Sequence, residues 1–152
     1  LGMRVNNMNI LFVCTGNTCR SPMAEALLKA RNNEGVVVRS AGIFASGGQD
    51  ASKYAKEVLK ENNIEHNHQS KQLSVEDIQW ATHILTMTES HAAIIRDLYP
   101  EYKNKVSTLK GYVNSQGNNM DVLDPFGGQK EDYRHTFDEL AELIEMYNSM
   151  IK

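Results

Sequence analysis

One short stretch narrows the folds open to this chain more than any other. Asn9-Ile10-Leu11-Phe12-Val13 is apolar and β-branched enough to be a buried strand. The polar run Cys14-Thr15-Gly16-Asn17-Thr18-Cys19-Arg20-Ser21 follows at once, and from Pro22 to Ala30 the residues read as a helix with proline in its first turn. A strand, a tight polar loop and a helix N-terminus make an anion site, because the loop N–H groups converge and the helix dipole adds partial positive charge. Cys14 at the floor of that loop is expected as a thiolate in the same positive field. Arg20 adds a planar fork of donors that matches two phosphate oxygens. Thiolate, anion cradle and bidentate arginine describe a nucleophile set against a phosphoryl group. A cysteine after a strand is ordinarily a small buried hydrophobe, and C-x5-R spacing alone recurs by chance. The strand–loop–helix setting, with Ser21 directly after the arginine, separates this case from both.

The rest of the chain alternates strand and helix. The first helix is expected from about Pro22 to Asn32, and Val36–Arg39 is a second strand entering Ser40-Ala41-Gly42. Asp50 or Ser52 caps a helix through Tyr54, Val58 and Leu59 that stops near Asn62-Asn63. Ser74 opens a short helical turn carrying Trp80, and His83–Met87 is a third strand. Glu89–Leu98 is helical and Pro100 ends it, Lys105–Leu109 is a fourth strand, and Gly117–Asp121 is loop. Glu131–Met150 is a long amphipathic helix with Phe137, Leu140, Leu143, Ile144 and Tyr147 on one face. This order implies an α/β three-layer sandwich: a four-stranded parallel sheet with helices on both faces and the phosphate loop after the first strand. Ligands in such sheets bind beyond the carboxyl ends of the strands, which is where Cys14 falls.

Composition excludes several classes. The 152 residues, 41% hydrophobic and 23% charged, suit one globular domain. A net charge of −3 leaves no basic footprint for nucleic acid, no apolar run is long enough for a membrane, and no secretory signal precedes the first strand. Residues 1–7 read as an expression remnant or an upstream extension, with the domain running over 8–152. The two cysteines lie in one loop, so there is no disulfide framework, and a reducing cytoplasm fits best. None of His66, His68, His83, His91 and His135 stands in zinc-finger spacing with them, so no metal and no cofactor is expected.

A phosphoryl leaving group needs a proton as its bond breaks. The late run Asp121-Val-Leu-Asp124-Pro125-Phe126-Gly127-Gly128 offers one: Pro125 pushes Asp124 out of helical geometry, and Phe126 and the glycines provide a wall and a hinge. Alone this is an Asp-Pro turn; beside the Cys14 loop, Asp124 becomes the candidate acid. His68 is a candidate to bind Asn17 and hold the loop backbone, and Ser21 to donate a hydrogen bond to the Cys14 thiolate. Cys19 is either a packing residue of the loop or the partner in a reversible disulfide that shelters Cys14 from overoxidation.

From Met8 nearly to its end the chain resembles the low-molecular-weight protein tyrosine phosphatases. Cys14-Thr-Gly-Asn-Thr-Cys-Arg-Ser21-Pro22-Met-Ala-Glu25 resembles their phosphate loop, Ser40-Ala-Gly42 their second-strand turn, His68-Gln-Ser-Lys-Gln72 the segment whose histidine braces the loop asparagine, and Asp124-Pro-Phe126 their acid loop. The resemblance implies a cysteinyl-phosphate intermediate, no metal, catalytic Cys14, Arg20 and Asp124, and substrate contacts from Thr15, Gly16, Asn17, Thr18, Cys19 and Phe126. Ser21, Ser40 and His68 take supporting roles, and phosphate or sulfate is an expected loop ligand. Thr15 and Thr18 stand where tyrosine-directed members often carry Leu and Ile; with Asp124-Pro-Phe126-Gly-Gly128 they look like the bacterial protein-arginine phosphatase branch. A physical reason supports that branch: an aryl ring profits from aliphatic walls, whereas a buried guanidinium needs acceptors for its N–H groups. Thr18 supplies a hydroxyl and less wall. Threonine and isoleucine are also close in shape, which leaves the tyrosine-directed reading as the alternative.

Rival classes share this loop. Thioredoxin-coupled arsenate reductases need two further cysteines far beyond the loop, and no Cys follows Cys19. A cysteine-phosphorylated sugar-transport carrier has no need of Arg20 and Asp124, and a phospho-residue binder has no need of the complete set. Phosphorylated proteins are therefore the expected partners.

Overall fold

The computed structural model describes residues 7–114 and 117–151. Four strands, β1 (Met8–Cys14), β2 (Val36–Gly42), β3 (His83–Thr86) and β4 (Val106–Thr108), form one parallel sheet in the order β2-β1-β3-β4. Among the described residues six α-helices accompany them: α1 (Arg20–Lys29), α2 (Lys53–Glu61), α3 (Val75–Trp80), α4 (Glu89–Leu98), α5 (Leu109–Val113) and α6 (Lys130–Ile151). No helix among the described residues is long and apolar enough to cross a membrane.

The period-2 geometry of β1 explains the layers. Ile10, Phe12 and Cys14 point into one core with α1, α2 and α6, whereas Leu11 and Val13 point into the other with Ile78, Ile84, Ala92 and Ile95. Ile10 to Val13 have no exposed surface, which is why the run is continuously apolar rather than alternating. Full burial of each such side chain stabilises the fold by roughly 1.5–3 kcal/mol.

The expected boundaries shift in ways with physical causes. Helix α1 begins at Arg20, two residues before Pro22, so Arg20 and Ser21 belong to its first turn. It ends at Lys29 rather than Asn32, because Asn32 turns left-handed at φ 52°. Ser52 is the N-cap residue of α2 but makes no capping bond, and the Asp50 carboxylate accepts from Ala51 N–H and pairs with Lys56 instead. The fourth strand is shorter than Lys105–Leu109: Lys105 closes a 3-10 turn over Pro100–Lys105, and Leu109 opens α5, capped by Thr108. Neither short helix has enough residues to show a period. Residues 1–6 of the expected extension lie outside the described residues, and β1 begins at Met8.

In this order β1 connects outward to β2, and the chain then crosses back to β3 on the other side of β1. The loops at the carboxyl ends of β1 and β3 therefore part at a switch point and leave a crevice between them.

Candidate active site

Cys14 ends β1 and Arg20 starts α1, and both are almost fully buried. The loop between them is held from outside. Cys14 and Thr15 carbonyls accept from Ile43 and Phe44 N–H at 3.0 and 2.9 Å, and Thr18 carbonyl accepts from Ser52 N–H at 2.8 Å. Gly42 lets these backbones approach: a Cβ there would stand 2.6 Å from Thr15 O and 3.0 Å from Asn17 N.

Asn17 is the hub. Its backbone is left-handed at φ 59°, a conformation asparagine tolerates better than most residues. His68 Nε2 donates to its carbonyl at 2.6 Å, and Lys71 N–H donates to its Oδ1 at 3.0 Å. Its Nδ2 donates to Ser21 Oγ and Ser40 Oγ, both at 2.9 Å. Ser40 passes its own hydrogen to Glu25 Oε1 at 2.6 Å. Ser21, accepting from Asn17, keeps its hydrogen for Cys14 Sγ at 2.9 Å, an arrangement that suits a thiolate acceptor. Burial pushes the Glu25 carboxyl up, but His66, Lys29 and Ser40 outweigh it and hold it at about 2. Burial lowers His68 below its ordinary value.

A cavity of about 200 Å³ opens over the loop, lined by Cys14, Thr15, Gly16, Thr18, Cys19, Arg20, Asp124 and Phe126. The structure thus gathers the expected site around one space, with one difference: the Asn17 side chain turns away from it into the network behind. Arg20 reaches across to the late loop, donating to Val122 carbonyl at 3.2 Å and standing 3.4 Å from Asp124 Oδ2. Asp124 is half exposed, and its Oδ1 accepts from Phe126 N–H at 3.0 Å, which sets the turn. The loop is anchored where Val122 N–H meets Met87 carbonyl and Thr136 hydroxyl meets Leu123 carbonyl. Asp121 is spent elsewhere, accepting from Glu89 N–H at the start of α4. A larger cleft, about 1000 Å³, lies apart along α2 and holds none of these residues.

Three neighbours escape sequence reasoning. His91, in α4, sits 2.9 Å from Thr15 Oγ1 across the switch point, and burial with the Arg20 charge pushes it down to about 4. Ser52 and Tyr133 each stand 3.5 Å from Cys19 Sγ. Burial and the Cys19 contact push Tyr133 up to about 12. His91 follows β3 by a few residues, so its place at the carboxyl edge was the available signal; Tyr133 offered none. Both cysteines are buried free thiols.

A buried cysteine at the end of a parallel strand, an arginine in the next helical turn and a carboxylate across the same cavity are the arrangement of a phosphate-loop protein. The chain belongs to the low molecular weight phosphotyrosine protein phosphatase family, whose model matches residues 9–152. A protein-arginine-phosphatase of Geobacillus stearothermophilus is 55% identical over 136 residues, 90% of each chain. The low molecular weight protein-tyrosine-phosphatase PtpB of Staphylococcus aureus is 42% identical over 139 residues, 90% of this chain and 94% of its own. The solved structure of YwlE arginine phosphatase from Geobacillus stearothermophilus superposes with a TM-score of 0.92 at 51% identity, covering 95% of this chain and 92% of that one.

Proposed function

We propose that this protein hydrolyses phosphoarginine on proteins through a cysteinyl-phosphate intermediate. The observation that carries the chemistry is the convergence of Cys14, Arg20 and Asp124 on one cavity of about 200 Å³, with Ser21 placed 2.9 Å from the sulfur. Cys14 Sγ attacks phosphorus in line, and Arg20 and the loop N–H groups hold the equatorial oxygens. The S–P bond forms as the P–N bond breaks, and Asp124 gives its proton to the departing guanidinium nitrogen. Asp124, now a carboxylate, takes a proton from water, whose oxygen displaces sulfur from phosphorus and releases phosphate. Thr15, Gly16, Thr18, Cys19 and Phe126 line the substrate side, and Asn17, Ser21, Ser40 and His68 hold the loop in shape.

Arginine is favoured because the Thr18 hydroxyl has only a 3.8 Å contact with Cys19 Sγ and so remains available to a guanidinium N–H, and because Asp124 is half exposed at the mouth. The alternative, phosphotyrosine, is favoured by Phe126, whose ring is 75% exposed at the cavity rim where an aryl group would stack. Comparing kcat/KM on phosphoarginine- and phosphotyrosine-containing proteins tests the assignment: a preference for tyrosine would overturn it. We read residues 8–152 as the single catalytic domain and place it in a bacterial cytoplasm, where a free cysteine nucleophile stays reduced. Its partners on this reading are phosphorylated proteins, with phosphate or sulfate as simple loop ligands and no role for nucleic acid or membrane.

A further inference from the structure

Behind the loop, away from the phosphoryl cavity, three side chains meet that the hydrolytic reading does not require together. Glu25 comes from α1, and His66 and His68 come from the segment before β3. Their side chains are only 8%, 5% and 4% exposed. His66 Nε2 lies 3.6 Å and His68 Nδ1 lies 3.8 Å from Glu25 Oε1, and the three ligand atoms all fall within 4.8 Å of one another. The two imidazoles stack with centroids 5.7 Å apart.

Asn17 carbonyl can only accept, so His68 Nε2 carries the hydrogen of that bond. In the neutral ring Nδ1 then presents its lone pair toward Glu25. A metal-binding histidine is commonly fixed in this way, with its other nitrogen donating to a carbonyl. His66 Nε2 is buried and stands 3.6 Å from Glu25 Oε1, near enough to act on its charge but just beyond hydrogen-bond reach, so it has no hydrogen-bond partner, a cost that a ligand would remove. Lys29 pairs with Glu25 Oε2 at 2.7 Å; Oε1 faces both rings and also accepts from Ser40 Oγ at 2.6 Å, which leaves it one lone pair for a ligand. An open cleft of about 440 Å³, lined by Asp50, Lys56, His66, Asn67, His68 and Gln69, gives a path to the histidines.

We propose that Glu25, His66 and His68 form a binding site for one divalent cation of the zinc class. Two imidazoles and a carboxylate with water as the fourth ligand is a known zinc donor set. Zinc bonds of about 2.0–2.2 Å in a tetrahedron put donor atoms roughly 3.3 Å apart, so the two carboxylate–histidine pairs need to close by a few tenths of an ångström and the histidine pair, within 4.8 Å, by at most about 1.5 Å. The expectation of no metal came from looking for ligands around Cys14 and Cys19; here the ligands are a His-x-His pair and a helix glutamate far apart in sequence. Occupancy would tie the His66–His68 segment to α1 directly behind Asn17 without meeting the phosphoryl group.

The test uses full-length protein carrying Cys14→Ser, which removes the nucleophilic thiolate as a ligand. Zn2+ titrated against a chromophoric chelator should bind at one ion per chain. Co2+ should give a spectrum without the intense near-ultraviolet band of sulfur ligation. His66→Gln in this background should weaken Zn2+ binding at least about tenfold, whereas His135→Gln, on an exposed face of α6, should leave it unchanged. Should His66→Gln fail to fold, imidazole NMR decides: the His66 and His68 signals should move together on Zn2+ addition while those of His83 and His135 stay. No bound zinc, a sulfur band, unchanged affinity in folded His66→Gln, or unmoved His66 and His68 signals would each overturn the site and leave a metal-free Glu25–His66 contact.

Discussion

At the scale of single residues, the site separates side chains that line the cavity from side chains that hold the loop behind it. Cys14→Ser should abolish turnover, because a serine hydroxyl is a far weaker nucleophile than a thiolate and its phosphate ester a far worse leaving group for water to displace; residual activity above a trace would remove Cys14 from the role. Asp124→Ala should slow hydrolysis of poor leaving groups by about 10²–10⁴-fold and spare activated aryl phosphates, which need less protonation. Equal losses on both substrates would rule out Asp124 as the acid. Asp121 is a weak substitute, since its carboxylate already serves the N-terminus of α4. Thr18→Ile should shift preference from phosphoarginine toward phosphotyrosine. Losing a hydroxyl partner leaves a buried N–H unpaired at about 1–3 kcal/mol, or roughly tenfold or more in the kcat/KM ratio. A ratio that stays put would show that Thr18 is not the selector.

At the scale of elements, the unit β1–loop–α1 was legible because everything it needs is local: an apolar run, polar residues at fixed offsets and a proline at the helix start. The long helix α6 was legible for the same reason, its apolar face repeating over 22 residues. Helix α5 was not, because five residues do not complete enough turns to show a period. The link from Thr15 to His91 and the approach of Tyr133 to Cys19 span 76 and 114 residues, and no local pattern encodes such contacts. Supporting roles for Ser21, Ser40 and His68 are readable from the sequence, but Asn17 is expected there as a substrate contact, and that its side chain joins them instead, in a network that ends on Glu25, appears only when β2 lies against α1. The end of β2 gives a sharp test. Gly42→Ala would force the new methyl group against Thr15 O, Ala45 Cβ and Asn17 N. Overpacking of this kind costs about 1–3 kcal/mol, and here the displaced atoms are loop backbone. The free energy of unfolding should fall by that amount and the urea midpoint with it, and kcat/KM should fall further than the loss of folded protein explains. A variant with wild-type kinetics would show that the loop tolerates the shift.

At the scale of the whole molecule, buried titratable groups make stability depend on pH with a definite sign. Glu25 is held down to about 2 from an ordinary 4.5, so its contribution is complete above pH 4.5 and is lost as pH falls toward 2. His91 is pushed down to about 4 from 6.5, so the folded state prefers it neutral, and stability is lost as pH falls from 6.5 toward 4. Each shift corresponds to on the order of 3 kcal/mol. Urea unfolding followed from pH 7.5 to 4 should show a steady decline that flattens in His91→Gln; an unchanged slope would mean that His91 does not titrate in this window. The Asn17 network carries a consequence for the order of events in folding. The eight residues from Cys14 to Ser21 are contiguous, yet the bonds that shape them come from Ser40, His68 and Lys71. No early fragment ending before β2 contains the parts that hold Asn17 left-handed. The proposed nucleophile is therefore first in sequence and last to be assembled: in refolding, turnover should return with or after the slowest structural phase, and a nascent chain would carry its cysteine unarmed until the segment around His68 has been made.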